Sequence, residues 1–192
     1  MANKTIILVR HGQYAGSSEK GEDRLTPLGR KQAAYAAKRL KEYKIDRIIH
    51  SSMPRAVETA TIVKKNLKHR KVMQSCELLR ECVPGFPKHL RKKAGFTNLK
   101  KLKTDERQVE KAFAKYFKAS RKDSVDVLVC HGNVIRFLVC KVLGIDTLTW
   151  RTLDIKQCGI SIVQIRSKGN NRQVLLSHNE VGHIPAGQRT FL

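Results

Sequence analysis

Acidic side chains are scarce. The 192 residues carry 16 Asp and Glu against 39 Lys and Arg, a formal net charge of +23. A balance this basic implies acidic partners: a phosphorylated substrate, nucleic acid or an anionic membrane surface. Paired cysteines are also missing. Cys76, Cys82, Cys130, Cys140 and Cys158 are odd in number and include no Cys-x-x-Cys, which argues against a disulfide framework and a structural zinc site. No apolar run approaches the roughly 20 residues of a membrane-spanning helix. There is no repeat, no convincing linker and no long polar tract, and 41% of the residues are hydrophobic, so one ordered domain over 1–192 is expected. The first strand starts by about the fifth residue, leaving no room for a signal peptide. The expectation is a soluble, cytoplasmic protein.

What is present begins with Thr5-Ile6-Ile7-Leu8-Val9, a buried strand that stops at Arg10-His11-Gly12. A cation and an imidazole thus stand at the carboxyl end of a strand, where open α/β sheets bind their ligands. Residues 13–24 read as a polar loop. Thr26-Pro27 caps a helix running to about Tyr43, Arg47–His50 is a short strand, and Met53-Pro54-Arg55 opens a second helix to about Leu67. Val72 to Leu79 looks extended and leads to Glu81. Pro84–Pro87 breaks the chain, and Lys88 to Lys103 has no clean periodicity. A helix over Asp105–Ala119 carries one apolar stripe. Val125–Cys130 is a buried strand ending at His131-Gly132-Asn133, followed by a helix over Val134–Leu143 that Gly144 closes. Ile160–Arg166, a turn at 169–171 and Gln173–Leu176 form a hairpin, and a tail follows. Strand–helix alternation with a late hairpin predicts a three-layer α/β/α sandwich with a mostly parallel sheet and an antiparallel edge.

Two strands ending in His-Gly, with Arg55 and Glu81 at the ends of two further segments, form a chemical kit. Arg10 and Arg55 suit phosphoryl oxygens. Cations beside His11 and His131 keep an imidazole neutral, and a neutral imidazole can attack phosphorus. A carboxyl group beside a bound phosphate is pushed towards its protonated form and can donate to a leaving oxygen.

On Leu8–Gly12, Leu25–Ala33, Ser51–Thr59, Leu79-Arg80-Glu81 and Val129–Asn133, in that order, the sequence resembles the histidine phosphatase (phosphoglycerate mutase-like) superfamily. Arg-His-Gly-Gln-Tyr, His-Ser-Ser-Met-Pro-Arg-Ala-Val-Glu-Thr and Cys-His-Gly-Asn-Val-Ile-Arg are most similar to its mitochondrial serine/threonine protein phosphatase branch. The resemblance implies a metal-independent phosphomonoesterase without cofactor, a serine/threonine protein phosphatase or a phosphatase of an acidic small phosphoester. His11 would be the phosphorylated nucleophile, Arg10, Arg55 and His131 the phosphate pocket, and Glu81 the proton donor and then the base for water. Gln13, Gly132 and Asn133 would complete the substrate-binding set. The sequence departs from relatives at Ser17, where many carry Asn, and at Cys82-Val83, where true mutases carry Tyr-Gly.

Other readings stand beside this one. Cys130-x5-Arg136 has the spacing of cysteine-dependent phosphatases, against a cysteine buried at a strand end. His50 reads as a satisfied strand-end histidine, and His178 and His183 lack a third metal ligand at sensible spacing. From Lys64 to Lys122, 19 Lys and Arg stand against five acids. This surplus suits a basic insertion or lid at about 84–104, or a non-catalytic polyanion-binding module on the same fold. Within Lys88–Lys103 only Phe96 is aromatic, so base stacking has little support. A mutase-type phosphotransferase is a further alternative.

Overall fold

Strand β1 (Asn3–Arg10) sits at the middle of the sheet because both of its faces are apolar: Ile6, Ile7, Leu8 and Val9 are all fully buried. This is seen in a computed structural model that describes residues 2–16, 23–67, 73–167 and 173–191. The chain continues through α1 (Pro27–Leu40), β2 (Arg47–His50), α2 (Pro54–Asn66), β3 (Gln74–Ser75), α3 (Lys88–Arg91), α4 (Leu99–Tyr116), β4 (Ser124–Cys130), α5 (Gly132–Leu143), β5 (Ile160–Arg166) and β6 (Gln173–Glu180). Short 3-10 turns lie at Glu77–Leu79, Thr147–Thr152 and Ala186–Gln188.

The six strands are ordered β3-β2-β4-β1-β5-β6. β3, β2, β4 and β1 are mutually parallel, and β5 runs antiparallel to both β1 and β6. The expected sandwich with its antiparallel edge is therefore the fold. Pleat alternation splits the core into two. Ile7, Val9, Ile48 and Val127 face the alanine-rich inner sides of α1 and α2. Ile6, Leu8, Ile49 and Leu128 face α4, α5 and Trp150. Small residues such as Ala33, Ala37, Ala56 and Ala60 let α1 and α2 lie close together on the sheet.

Two helices start or stop at the expected signals. Thr26 Oγ1 accepts a hydrogen bond from Gly29 N (3.0 Å) with Pro27 next in line, a cap that contributes about 1 kcal/mol. Gly144 closes α5 in the left-handed region at φ 67°. Other boundaries differ. α4 begins at Leu99 rather than Asp105, because the Asn98 side chain accepts from Lys101 N (2.9 Å) and Leu102 joins the buried stripe. A one-turn helix occupies Lys88–Arg91. Of the extended stretch expected over 72–79, only Gln74–Ser75 is a strand; Val72 and the hairpin turn at 169–171 lie outside the described residues. The tail is tied down: Gln32 Nε2 donates to Gln188 O (2.8 Å) and Thr190 Oγ1 (2.7 Å). No described helix is long and apolar enough to cross a membrane.

Candidate active site

β1 and β4 pair in parallel with Arg10 opposite Cys130, so the residues after them, His11 and His131, leave the sheet side by side. Their ring centroids are 5.1 Å apart. β2 ends on the other side of β4, and Ser51, Ser52 and Met53 carry the chain directly into α2, whose second residue is Arg55. The turn at Glu77–Leu79 delivers Glu81. Four segments distant in sequence converge on one sheet edge.

Glycine makes the exit from β1 feasible. A Cβ on Gly12 would lie 2.5 Å from Gly29 O, and a Cβ on Gly29 would lie 2.0 Å from Gln13 O. The strand exit and the first turn of α1 are thus in backbone contact, which no larger residue permits at either position. The contact is pinned by Thr26 N donating to Gln13 O (2.9 Å), Gln13 N to Gln32 Oε1 (2.9 Å) and Gly12 N to Thr59 Oγ1 (3.1 Å).

His11 is 1% exposed. Its Nδ1 faces Gly12 O at 2.8 Å, and a carbonyl only accepts, so the proton resides on Nδ1. Nε2 then carries the lone pair, and it accepts from Arg55 Nε at 3.1 Å. Burial, then the charges of Arg55 and Arg10, hold the His11 pKa well below the ordinary value, so the ring is neutral.

His131 is neutral for the same reasons: burial first, then His11, Arg55 and Arg10. Its Nε2 shares a hydrogen bond with Ser51 Oγ (2.8 Å), which also accepts from Met53 N (3.2 Å). His131 Nδ1 is buried without a protein partner, as is Arg10 Nε. Arg10 spends Nη1 on Ile155 O (2.6 Å), and its guanidinium lies against Gly132 at the start of α5, within 3.5 Å of where a Cβ would be. A buried guanidinium N–H without an acceptor, together with an unpartnered imidazole nitrogen, marks a place for an anion.

Glu81 is partly exposed, and its pKa is raised. Burial of the carboxylate outweighs the opposing Arg55 and Arg10 charges and the bond from Cys82 N to Oε1 (3.3 Å).

Of the expected site residues, Arg10, His11, Arg55, Glu81, His131 and Gly132 come together. Gln13 and Asn133 hold the frame instead. Gln13 Oε1 accepts from Thr26 Oγ1 (2.7 Å). Asn133 Nδ2 donates to Cys82 O (3.0 Å), and its Oδ1 accepts from Arg136. The Asn133 amide therefore fixes the residue next to Glu81. Arg136 also donates to Gly132 O and Leu153 O (3.3 Å each) and lies over the Trp150 ring at 4.8 Å, so the Cys-x5-Arg spacing builds no anion loop. Cys130 is fully buried, and burial pushes its thiol pKa far up. His50 is satisfied by Ser51 O (2.9 Å), and His178 and His183 bond Ser161 Oγ (2.9 Å) and Cys158 O (3.1 Å). Among the described residues, no three His, Cys, Asp or Glu side chains are placed to share a metal ion.

Sequence reasoning missed two residues. Tyr14 meets His11 edge-on (5.2 Å between centroids) and lies under the Arg55 guanidinium (4.6 Å). Asp23 forms an ion pair with Arg55 Nη1. A bridge between Tyr14 and Leu25 brings both ends of the loop to the site. Only tertiary pairing of the loop ends singles out Asp23, one of three acids among Glu19, Glu22 and Asp23. Ser17 lies outside the described residues.

The sequence and the fold match known proteins. The model of the histidine phosphatase superfamily (branch 1) matches residues 6–95 and 86–179. The chain is 32% identical over 196 residues to the serine/threonine-protein phosphatase Pgam5, mitochondrial, of Caenorhabditis elegans, covering 99% of this chain and 67% of that protein. It is 36% identical over 197 residues to the like-named protein of Drosophila mojavensis, covering 96% and 66%. It thus spans about two thirds of the length of these relatives. Both are named mitochondrial, which overturns the expectation of a cytoplasmic protein; an early first strand is no evidence of address. The crystal structure of a phosphoglycerate mutase from Plasmodium falciparum superposes with a TM-score of 0.62 at 28% identity, covering 96% of this chain and 93% of that one. With a family model matched over most of its length and relatives above 30% identity, the chain belongs to the histidine phosphatase superfamily.

Proposed function

We propose that the protein is a phosphomonoesterase that works through a phosphohistidine at His11 and acts on phosphoserine or phosphothreonine in proteins. One observation carries the reading: a buried, neutral imidazole whose Nε2 lone pair is held by a guanidinium, with the unpartnered buried Arg10 Nε and His131 Nδ1 in the same pocket. In the proposed reaction the phosphoryl oxygens take Arg55, Arg10 and His131 in its Nδ1–H tautomer. Arg55 moves from His11 Nε2 to a phosphoryl oxygen, which releases the lone pair. Nε2 forms the N–P bond as the P–O bond to the leaving group breaks, and protonated Glu81 gives its proton to the departing oxygen. Glu81, now a carboxylate, takes a proton from water as that water attacks phosphorus, and His11 leaves with its electron pair. Inorganic phosphate is released and Glu81 is again protonated. Positioning and fixed charge supply the catalysis, as in other phosphoryl transfers. The names of the relatives support the protein substrate. We place the basic segment 84–104 at the rim of the entrance, on the strength of its position directly after Glu81.

The test is an alkaline-quench trap with phosphate-labelled substrate. An adduct stable in alkali and labile in acid, mapped to His11 and lost in His11→Ala, is expected. Label on Cys130, or full activity in His11→Ala, overturns the reading.

A further inference from the structure

α4 carries a charge pattern that works against the helix itself. On its 100° wheel, Asp105, Val109, Ala112 and Tyr116 face the core, while Lys100, Lys103, Arg107 and Lys111 share the opposite, exposed ridge. Spaced three and four residues apart, these cations repel one another at the range where opposite charges would support a helix. Lys100, Lys101 and Lys103 also crowd the amino-terminal end, whose macrodipole disfavours cations, and no acid stands in the first turn. Lys101 is answered by Asp105 (2.8 Å) on the inner side. Among the described residues, the four ridge cations have no ion pair.

We propose that this ridge is the docking site for an acidic, extended segment of the phosphoprotein substrate. The ridge is one side chain wide and, at 1.5 Å per residue, about 16 Å long from Lys100 to Lys111. An extended peptide rises about 3.3 Å per residue with alternate side chains on one face, so five residues carrying three acids span it. Glu106 and Glu110 flank one side of the row, and Glu110 is itself paired with Lys141 (3.0 Å). A narrow strand fits beside them, whereas a duplex or a membrane surface would also meet those carboxylates. No aromatic residue lies among the exposed ridge positions, so nothing there stacks bases. The same helix also holds the catalytic segment. Asp105 Oδ2 accepts from Val83 N (3.1 Å), and Gln108 Nε2 donates to Arg80 O (2.9 Å) and Leu78 O (3.4 Å). A substrate bound to the outer face of α4 is thereby anchored on the element that positions Glu81.

The proposal rests on the protein-phosphatase reading only in taking a polypeptide as substrate, so binding and turnover are measured separately. Anisotropy of an unphosphorylated (Asp-Glu)-rich peptide reports docking without chemistry. kcat/KM for the same peptide with one phosphoserine, and for p-nitrophenyl phosphate, reports the site. For the triple change Lys103→Gln, Arg107→Gln, Lys111→Gln, peptide affinity and phosphopeptide kcat/KM should each fall about 10-fold at about 50 mM salt, through KM, and the difference should shrink as salt screens it. Turnover of p-nitrophenyl phosphate should not change. Equal peptide affinity in both proteins overturns the proposal. So does an effect confined to retention on single-stranded RNA or on vesicles containing anionic lipid, which would reassign the ridge. Loss of p-nitrophenyl phosphate turnover in the unsubstituted protein would instead reject the catalytic reading and leave docking standing on the anisotropy alone.

Discussion

Keeping two imidazoles neutral inside a cationic pocket has a cost that should appear as pH-dependent stability. In the folded protein His11 and His131 both have pKa values well below their ordinary 6.5, chiefly through burial. On unfolding, each regains its ordinary value. The unfolded chain therefore binds more protons below that pKa, and stability must fall as the pH drops through it. For a group titrating at about 6.5 only when unfolded, lowering the pH from about 7.5 to about 5.5 costs about 1.4 kcal/mol, so the pair costs about 2.7 kcal/mol. Glu81 acts in the opposite sense. Its folded pKa is raised, so it contributes stability that is complete below its unfolded value and lost as the pH rises through the folded one. It offsets part of the histidine effect in the absolute profile, and His178 and His183, whose pKa values are also lowered, add to that profile. Differences between variants remove these contributions. Urea unfolding followed by Trp150, the one tryptophan and a buried one, gives the free energy at each pH under matched ionic strength. Relative to the unsubstituted protein, His11→Asn and His131→Asn should each flatten the change across that pH range by about 1.4 kcal/mol, and the double variant by about twice that. An unchanged pH slope in the double variant would refute the neutral-imidazole pocket, whatever the variants do to stability at the upper end of the range.

Three further outcomes follow from the site. Glu81→Gln should lower kcat by about 10²–10⁴-fold on alkyl phosphomonoesters and much less on p-nitrophenyl phosphate in burst measurements; equal losses on both would remove Glu81 as proton donor. Asp23→Asn frees Arg55 from its carboxylate, so inorganic phosphate should inhibit roughly 3- to 10-fold more tightly, and unchanged inhibition would mean that Asp23 does not compete with the substrate anion. Gly29→Ala must place a methyl 2.0 Å from Gln13 O, and calorimetry should show destabilisation of about 2–4 kcal/mol, whereas a Tm within a degree of the parent would contradict the backbone contact.

Features that rest on local pattern are legible in the sequence itself. β1 and β4 announce themselves as continuous apolar runs because both faces of a central strand are buried, and the caps at Thr26 and Gly144 need only their own neighbours. The start of α4 is hidden because Lys100, Lys101 and Lys103 interrupt the apolar period that Leu102 begins. Asn133 and Gln13 stand next to the histidines in the chain, and proximity in sequence suggests substrate contact. Their amides instead close hydrogen bonds to Cys82 O and Thr26 Oγ1, partners 51 and 13 residues away that no local window contains. Asp23 and Tyr14 are unreadable for the same reason: each matters through Arg55, more than 30 residues downstream.

Pleat parity decides which of two neighbouring nucleophile candidates is usable. His11 and Cys130 lie at the ends of adjacent parallel strands, with Arg10 opposite Cys130. Along β4, Leu128 and Cys130 fall on the face packed against α4 and α5, while Val127 and Val129 fall on the other. Cys130 is therefore committed to the apolar core, where burial raises its thiol pKa and leaves no path for an anion. One residue later each chain leaves the sheet, and the alternation no longer dictates direction. His11 and His131 are thus free to turn towards each other and towards Arg55. Desolvation then has opposite consequences for the two chemistries. It disables a thiol, whose reactive form is charged, and activates an imidazole, whose reactive form is neutral. Two guanidiniums by themselves would favour a thiolate as much as they favour a neutral imidazole, so it is the burial of Cys130 that selects histidine over cysteine, and the single-residue step past the strand end supplies the geometry.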